Sequence, residues 1–307
     1  MKPTEFWKNF NLGEELSISG TFIYNGLRRY HEMQKLDFAD EIFEFLYNLS
    51  VGFERLLKIS VILFEHNDST DQEELEKSLI THSHLDLLLR VRSHTAVDFS
   101  PCQIDLLQLL SRFYKSYRYD RFTLSSVFDG KKERADLCNL LRKHLDADIP
   151  SDRSMFGADN KERYRKFIHR HCIKMSRTLY ALIRTRASQI NLYTHELRHG
   201  SKSESVFLRE INISDEDVLW KELLIFFMNT KESSGYLRFL RDIPPLDFDP
   251  ALVDEYLDCF KSDASKAYVM DELEHHYTEL EGQTGERLEL MRVIGAPHVF
   301  FDDEEDD

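Results

Sequence analysis

The run over residues 38–66 constrains the fold most. Ile42, Phe45, Leu46, Leu49, Phe53, Leu56, Leu57, Ile59, Ser60 and Leu63 recur at three- and four-residue steps, the period of an α-helix. These residues occupy several faces of that helix, more than one neighbouring helix covers, and the excess predicts self-association. Gly52 lies inside the run, where it costs about 1 kcal/mol relative to Ala, and a close helix crossing would rationalise it. With 11 Gly and seven Pro in 307 residues, an all-β chain full of tight turns is excluded. The expected class is all-α.

Further helices are predicted over 72–80, capped by the Asn67–Asp71 polar cluster, and over 85–91, 103–117 and 131–144. Pro101 sits near the start of the third of these, where its missing N–H does no harm. Residues 146–158, with DIPSDRS and a glycine, read as the interior boundary. Beyond it the chain is helical and acidic over 215–230, 234–240, 250–260, 262–281 and 285–294, interrupted by Pro244-Pro245. Residues 16–24 alternate weakly and read either as a short strand or as an extended arm, so strand is expected only within the first 30 residues. The implied organisation is an arm (1–37), a helical bundle (38–147), a C-terminal helical region (158–300) and an acidic tail (301–307).

Charge is concentrated in one place. Residues 161–202 hold eleven Lys/Arg against Glu162 and Glu196, a local +9 in a chain of net −15, so the rest sums to −24. On a helical wheel Tyr164, Ile168, Cys172, Met175, Leu179, Leu182, Ile190, Tyr193 and Leu197 fall along one line. Arg163, Lys166, Arg170, Lys174, Arg177 and Arg184 fall opposite. This predicts a single basic amphipathic helix closed by His199-Gly200. Its basic face reads either as a surface for the phosphates of RNA or DNA, or as a solvated face or a partner of the acidic third of the chain. Arg186 lies on the apolar line, between Leu182 and Ile190. There it is either a paired or snorkelling Arg, or an anion-binding Arg within a cleft.

Other chemistry is thin. Cys102, Cys138, Cys172 and Cys259 are widely spaced, without CxxC or Cys/His metal spacing, and fit reduced buried thiols; no metal and no cofactor is expected. His82 and His84 are two apart, a poor metal pair on a helix, and read as capping or packing residues. His275 and His276, with Glu272, Glu274 and Glu279, read as a solvated acidic face. The first residues, MKPTEFWKNF, lack the apolar core of a signal peptide. No apolar run approaches the roughly 18 residues needed to span a bilayer. The expectation is a cytoplasmic protein with no membrane partner. P-loop, GxGxxG, GxSxG and HExxH signatures are absent.

Three stretches, SVGFERLLKISVIL at 50–63, HSHLDLL at 82–88 and FYKSYRY at 113–119, resemble the HEPN superfamily, helical domains of prokaryotic toxins, toxin–antitoxin pairs and antiviral defence proteins. The likeness covers about residues 38–145. It implies a helical bundle that pairs as a homodimer and binds RNA, as a metal-independent ribonuclease or as a non-catalytic interaction or scaffold member. The family's catalytic Arg-x(4–6)-His spacing is met by Arg163/His169, Arg165/His171 and Arg292/His298, all outside the matched stretch. Arg163, Arg165, His169 and His171 are therefore the catalytic candidates. Lys166, Arg170, Lys174, Arg177 and Arg184 are the nucleic-acid-binding candidates, and Arg186 the buried anion-binding one. The alternative is a scaffold that docks a partner through its charge asymmetry.

Overall fold

The computed structural model describes residues 3–120, 122, 124, 132–149, 157–208, 213–231, 234–260, 263–267, 269–280, 282–297, 299 and 301. The acidic tail 302–307 and His298 lie outside them. All the regular elements among the described residues are helices, with no strand; Lys35 and Asp159 form an isolated bridge. The chain divides into two units, 1–211 and 212–307.

The first unit is built around a hairpin. A helical lead-in and a π turn, Trp7–Asn11, run into α1 (Leu12–Glu32), which packs antiparallel on α2 (Ala39–Glu65). The expected strand or arm over 16–24 is thus helix. Leu12, Leu16, Ser19, Ile23, Leu27 and Tyr30, at three- and four-residue steps, are all buried. Packing outweighs the poor helix propensity of Gly13, Gly20 and Gly26. Two of the hairpin's glycines mark its crossing. A Cβ on Gly52 would stand 2.6 Å from Ile23 Cγ1 and 3.1 Å from the Ser19 carbonyl oxygen, and one on Gly26 would stand 2.9 Å from Leu49 Cδ2.

Beyond the hairpin lie α3 (Gln72–Ser78), α4 (His84–His94), α5 (Pro101–Arg112) with a π turn Phe113–Tyr117, α6 (Lys132–Leu145), α7 (Glu162–Gln189) and α8 (Lys202–Leu208). Their starts follow the sequence signals. Asp71 accepts from Glu74 N–H, Ser83 from Asp86 N–H, and Ser100 with Gln103 forms a capping box, each satisfying amides the helix cannot. α1, α4, α5, α6 and α7 all pack on α2. Its residues Asn48 through Glu54 are buried without a break. The apolar excess that suggested self-association is therefore covered within the chain.

The expected boundary over 146–158 is not where the units divide. Ala147, Ile149 and Ala158 are buried. Leu36 N–H donates to Ala158 O at 2.7 Å and Asn160 N–H to Gln34 O at 2.8 Å. Asn160 Nδ2 also donates to the carbonyls of Tyr30 and Met33, at 2.8 and 3.1 Å. Residues 158 and 160 thus lace the start of α7 to the α1–α2 turn, while 150–156 of the expected boundary lie outside the described residues.

α7 is shorter than expected. It ends at Gln189 because Asn191 turns left-handed, φ 56°. Leu192 N–H then bonds Ala187 O at 2.9 Å and Asn191 N–H bonds Ser188 O at 3.2 Å, the paired bonds of a Schellman cap with a buried residue behind it. Tyr193 and Leu197 fall outside the helix, and Tyr193 is exposed. Gly200 instead serves α8, its N–H donating to Glu204 Oε2 at 2.6 Å.

The second unit contains α9 (Ile213–Asn229), α10 (Gly235–Asp242), α11 (Val253–Asp258), α12 (Met270–Glu279) and α13 (Thr284–Val293). Among its residues whose side chains are described, none is buried. Ring contacts tie it together: Trp220 on Phe260 at 5.8 Å, Phe301 on Tyr236 and Phe239 at 4.8 and 5.0 Å, and Phe248 on His276 at 5.0 Å. His276 is therefore packed, unlike the solvated surface expected of it. Residues 212–307 carry 25 acids and eight Lys/Arg, a net −17, which leaves +2 on residues 1–211.

Candidate functional site

The phase of α7 sets its two faces. Tyr164, Ile168, Cys172, Met175, Leu179 and Ile183 are buried, while Arg163, Lys166, Arg170, Lys174 and Arg184 are exposed. Lys166 pairs with Glu162 at 3.2 Å, and Glu162 is the one acid paired with this face among the described residues. The Arg163 guanidinium lies 5.0 Å from the ring centre of Tyr164. Arg177 departs from the expected stripe. It is half-buried and donates to the carbonyls of Phe207 and Leu208, at 3.5 and 3.2 Å, which caps the C-terminus of α8.

The proposed Arg/His pairs are drawn toward structural tasks. Arg165 Nη2 donates to Met33 O at 3.0 Å and to Gln34 Oε1 at 3.3 Å, closing the end of α1. His171 packs its ring edge-on against Phe167 at 4.5 Å. Burial, with Arg170, His144 and Lys174 nearby, holds His171 below the usual imidazole range, so it stays neutral. Six residues apart on a helix, Arg165 and His171 do not share a face; nor do Arg163 and His169.

Arg186 is half-buried and opens onto a cleft of about 390 Å³, lined by Phe64, His94, Leu182, Thr185 and Gln189. Its Nε donates to Leu63 O at 3.1 Å, Nη1 donates to Gln189 Oε1 at 3.3 Å, and the guanidinium lies 5.2 Å from the Phe64 ring centre. Leu63 is in the last turn of α2, where carbonyls lack partners and the helix dipole is negative. The charge of Arg186 answers that dipole, which disfavours the anion-binding role expected of it.

A different cluster was not foreseen. Glu54, buried on α2, accepts from Lys58 Nζ at 2.7 Å and contacts His82 Nδ1 at 3.0 Å. The carboxylate sets the tautomer, with the proton on Nδ1 and Nε2 left as a base. No hydrogen bond engages that Nε2 among the described residues, and the His82 side chain is 43% exposed. Beneath it His84 is fully buried. Its Nε2 contacts Ser50 O at 2.8 Å and its Nδ1 contacts Ser111 Oγ at 3.3 Å, while Ser111 Oγ also accepts from His84 N–H at 3.0 Å. Burial pushes its imidazole down to about 4, so a neutral ring pins the 81–84 loop. Tyr114, in the π turn, meets His82 edge-on at 4.8 Å and carries Arg118 on its face at 3.8 Å. π turns inside helices concentrate at functional sites. The sequence did hold a signal: Glu54 shares the buried line of Ser50, Leu57 and Val61, where a carboxylate needs partners.

Among the described residues, no cluster of three or more His, Cys, Asp or Glu is placed to hold a metal ion, and no helix is long and apolar enough to cross a membrane. Comparison with protein-family models, curated proteins and solved structures finds no match for this chain.

Proposed function

We propose that this protein binds RNA through the exposed basic face of α7. The observation that carries the reading is the set Arg163, Lys166, Arg170, Lys174 and Arg184, exposed on one helix with, among the described residues, a single acid paired to it. Such a surface gains affinity by releasing counterions from phosphates. The HEPN-like stretches at 50–63, 82–88 and 113–119 favour RNA over DNA. Purified protein should carry nucleic acid that RNase removes and that elutes as salt rises. Protein that stays free of RNA when the two are mixed at low salt would reject the reading.

The Glu54–His82 pair favours a second reading, in which the bound RNA is also cleaved. A carboxylate-oriented imidazole with a free Nε2 is a general base. Cleavage would then depend on His82 rather than on His169 or His171. His82→Gln should abolish it, and the double variant His169→Ala/His171→Ala should retain it. The reverse outcome would return the chemistry to α7.

A further inference from the structure

The segment after α5 assembles flat, cationic and half-exposed groups into one surface. The Arg118 guanidinium lies 3.8 Å from the ring centre of Tyr114 and 4.5 Å from that of Tyr119, and its Nη2 donates to Tyr119 Oη at 2.7 Å. Its Nε is buried and has no hydrogen-bond partner among the described residues. Tyr114 meets Tyr47 at 6.1 Å and His82 at 4.8 Å, and Tyr47 stacks on Phe43 at 6.1 Å. Tyr119 is 57% exposed. Nearby acids already face cations: Glu54 holds Lys58 and His82, Asp86 lies 3.9 Å from Lys115, and Asp120 lies 3.5 Å from Lys132.

We infer that Tyr114, Arg118 and Tyr119 form a stacking platform for an unpaired nucleobase, so that single-stranded nucleic acid binds in preference to duplex. The inference rests on the RNA-binding reading above. A flat guanidinium lying against two rings presents π faces and positive charge together. Every base offers a face that such a platform accepts, and stacking of this kind tolerates sequence. A base held within a duplex keeps its faces against its neighbours and cannot use the platform. The platform also adjoins His82, so a nucleotide seated there lies beside the free Nε2.

Fluorescence anisotropy with a labelled uridine-rich single strand, and with the same strand annealed to its complement, separates the two ideas. Tyr119→Ala should weaken single-strand binding about tenfold and leave duplex binding and the salt slope unchanged, because the ring carries stacking and no charge. Tyr119→Phe should bind like the wild type. Arg118→Lys, which keeps the charge and loses the flat fork, should weaken single-strand binding as Tyr119→Ala does. Equal affinity of the wild type for the two probes, with no effect of Tyr119→Ala, would overturn the platform and leave the basic helix standing. A wild type that binds neither probe would remove both readings. Tyr119→Ala that spares RNA binding but abolishes self-association in light scattering would give this surface to a second copy of the chain and overturn the inference.

Discussion

Residues 1–211 and 212–307 are both helical, yet they keep their apolar side chains in opposite places. In the first unit α2 places apolar residues on several faces, and five helices cover it. In the second, α9 is equally apolar, yet Leu219, Ile225, Phe227 and Met228 are each more than half exposed. Charge divides the same way, with +2 on one unit and −17 on the other. Helical periodicity alone therefore does not report a core. A core needs neighbouring apolar stripes at matching heights, and the hairpin of α1 and α2 supplies them.

The largest effect that can break this contrast is a cavity. Phe53 is fully buried, and Phe53→Ala should destabilise the protein by about 3–5 kcal/mol in urea unfolding. Leu223, 45% exposed on α9, should change stability by less than about 0.5 kcal/mol when replaced by Ala. Similar costs at both positions would erase the distinction.

Acid should act through the first unit next most strongly. His84 titrates near 4 in the fold because burial disfavours its charge, whereas an unfolded His titrates near 6.5. Below about 6.5 the unfolded chain takes up a proton that the fold refuses, so stability is full above that pH. It falls as pH drops toward 4, by about 3 kcal/mol at most. His66 and His171, also shifted down by burial, act in the same direction. Unfolding free energies measured between pH 7 and 4 should show the decline, and His84→Gln should flatten it. An unchanged slope in that variant would remove His84 as a source.

A smaller effect probes the hairpin crossing. Gly52→Ala forces a methyl group against Ile23 and the Ser19 carbonyl, and should cost about 1–3 kcal/mol. A stabilised variant, as expected of Ala on an open helix face, would show that the helices part readily.

Much of this was legible in the sequence, for local reasons. The period of α2, the cap that the Asn67–Asp71 cluster supplies at Asp71, and the exposure of Arg163, Lys166, Arg170 and Lys174 follow from spacing and side-chain chemistry within a few residues. What was missed depends on distant partners. Residues 16–24 of α1 read as a short strand or an extended arm because they alternate weakly, and their burial against α2 is invisible locally. The end of α7 turned on Asn191, a less usual left-handed residue than the glycine at 200. The role of Arg186 required knowing that the last turn of α2 lies beside it. Glu54 and His82 are 28 residues apart, and spacing within one helix could not pair them.

The central claim is that the basic face of α7 meets phosphates and is not needed to hold the fold. It is tested most directly by the salt dependence of RNA binding in the full chain, with and without Lys166→Glu/Arg170→Glu/Lys174→Glu. The account predicts that wild-type affinity falls linearly on a log–log plot against salt. Each phosphate contact adds roughly 0.7 to the slope for a single strand, and the triple variant should lose about two units of slope together with most of its affinity, at an almost unchanged melting temperature. A triple variant that keeps its RNA affinity and slope while melting well below the wild type would contradict it, and would make the stripe part of what holds the fold together.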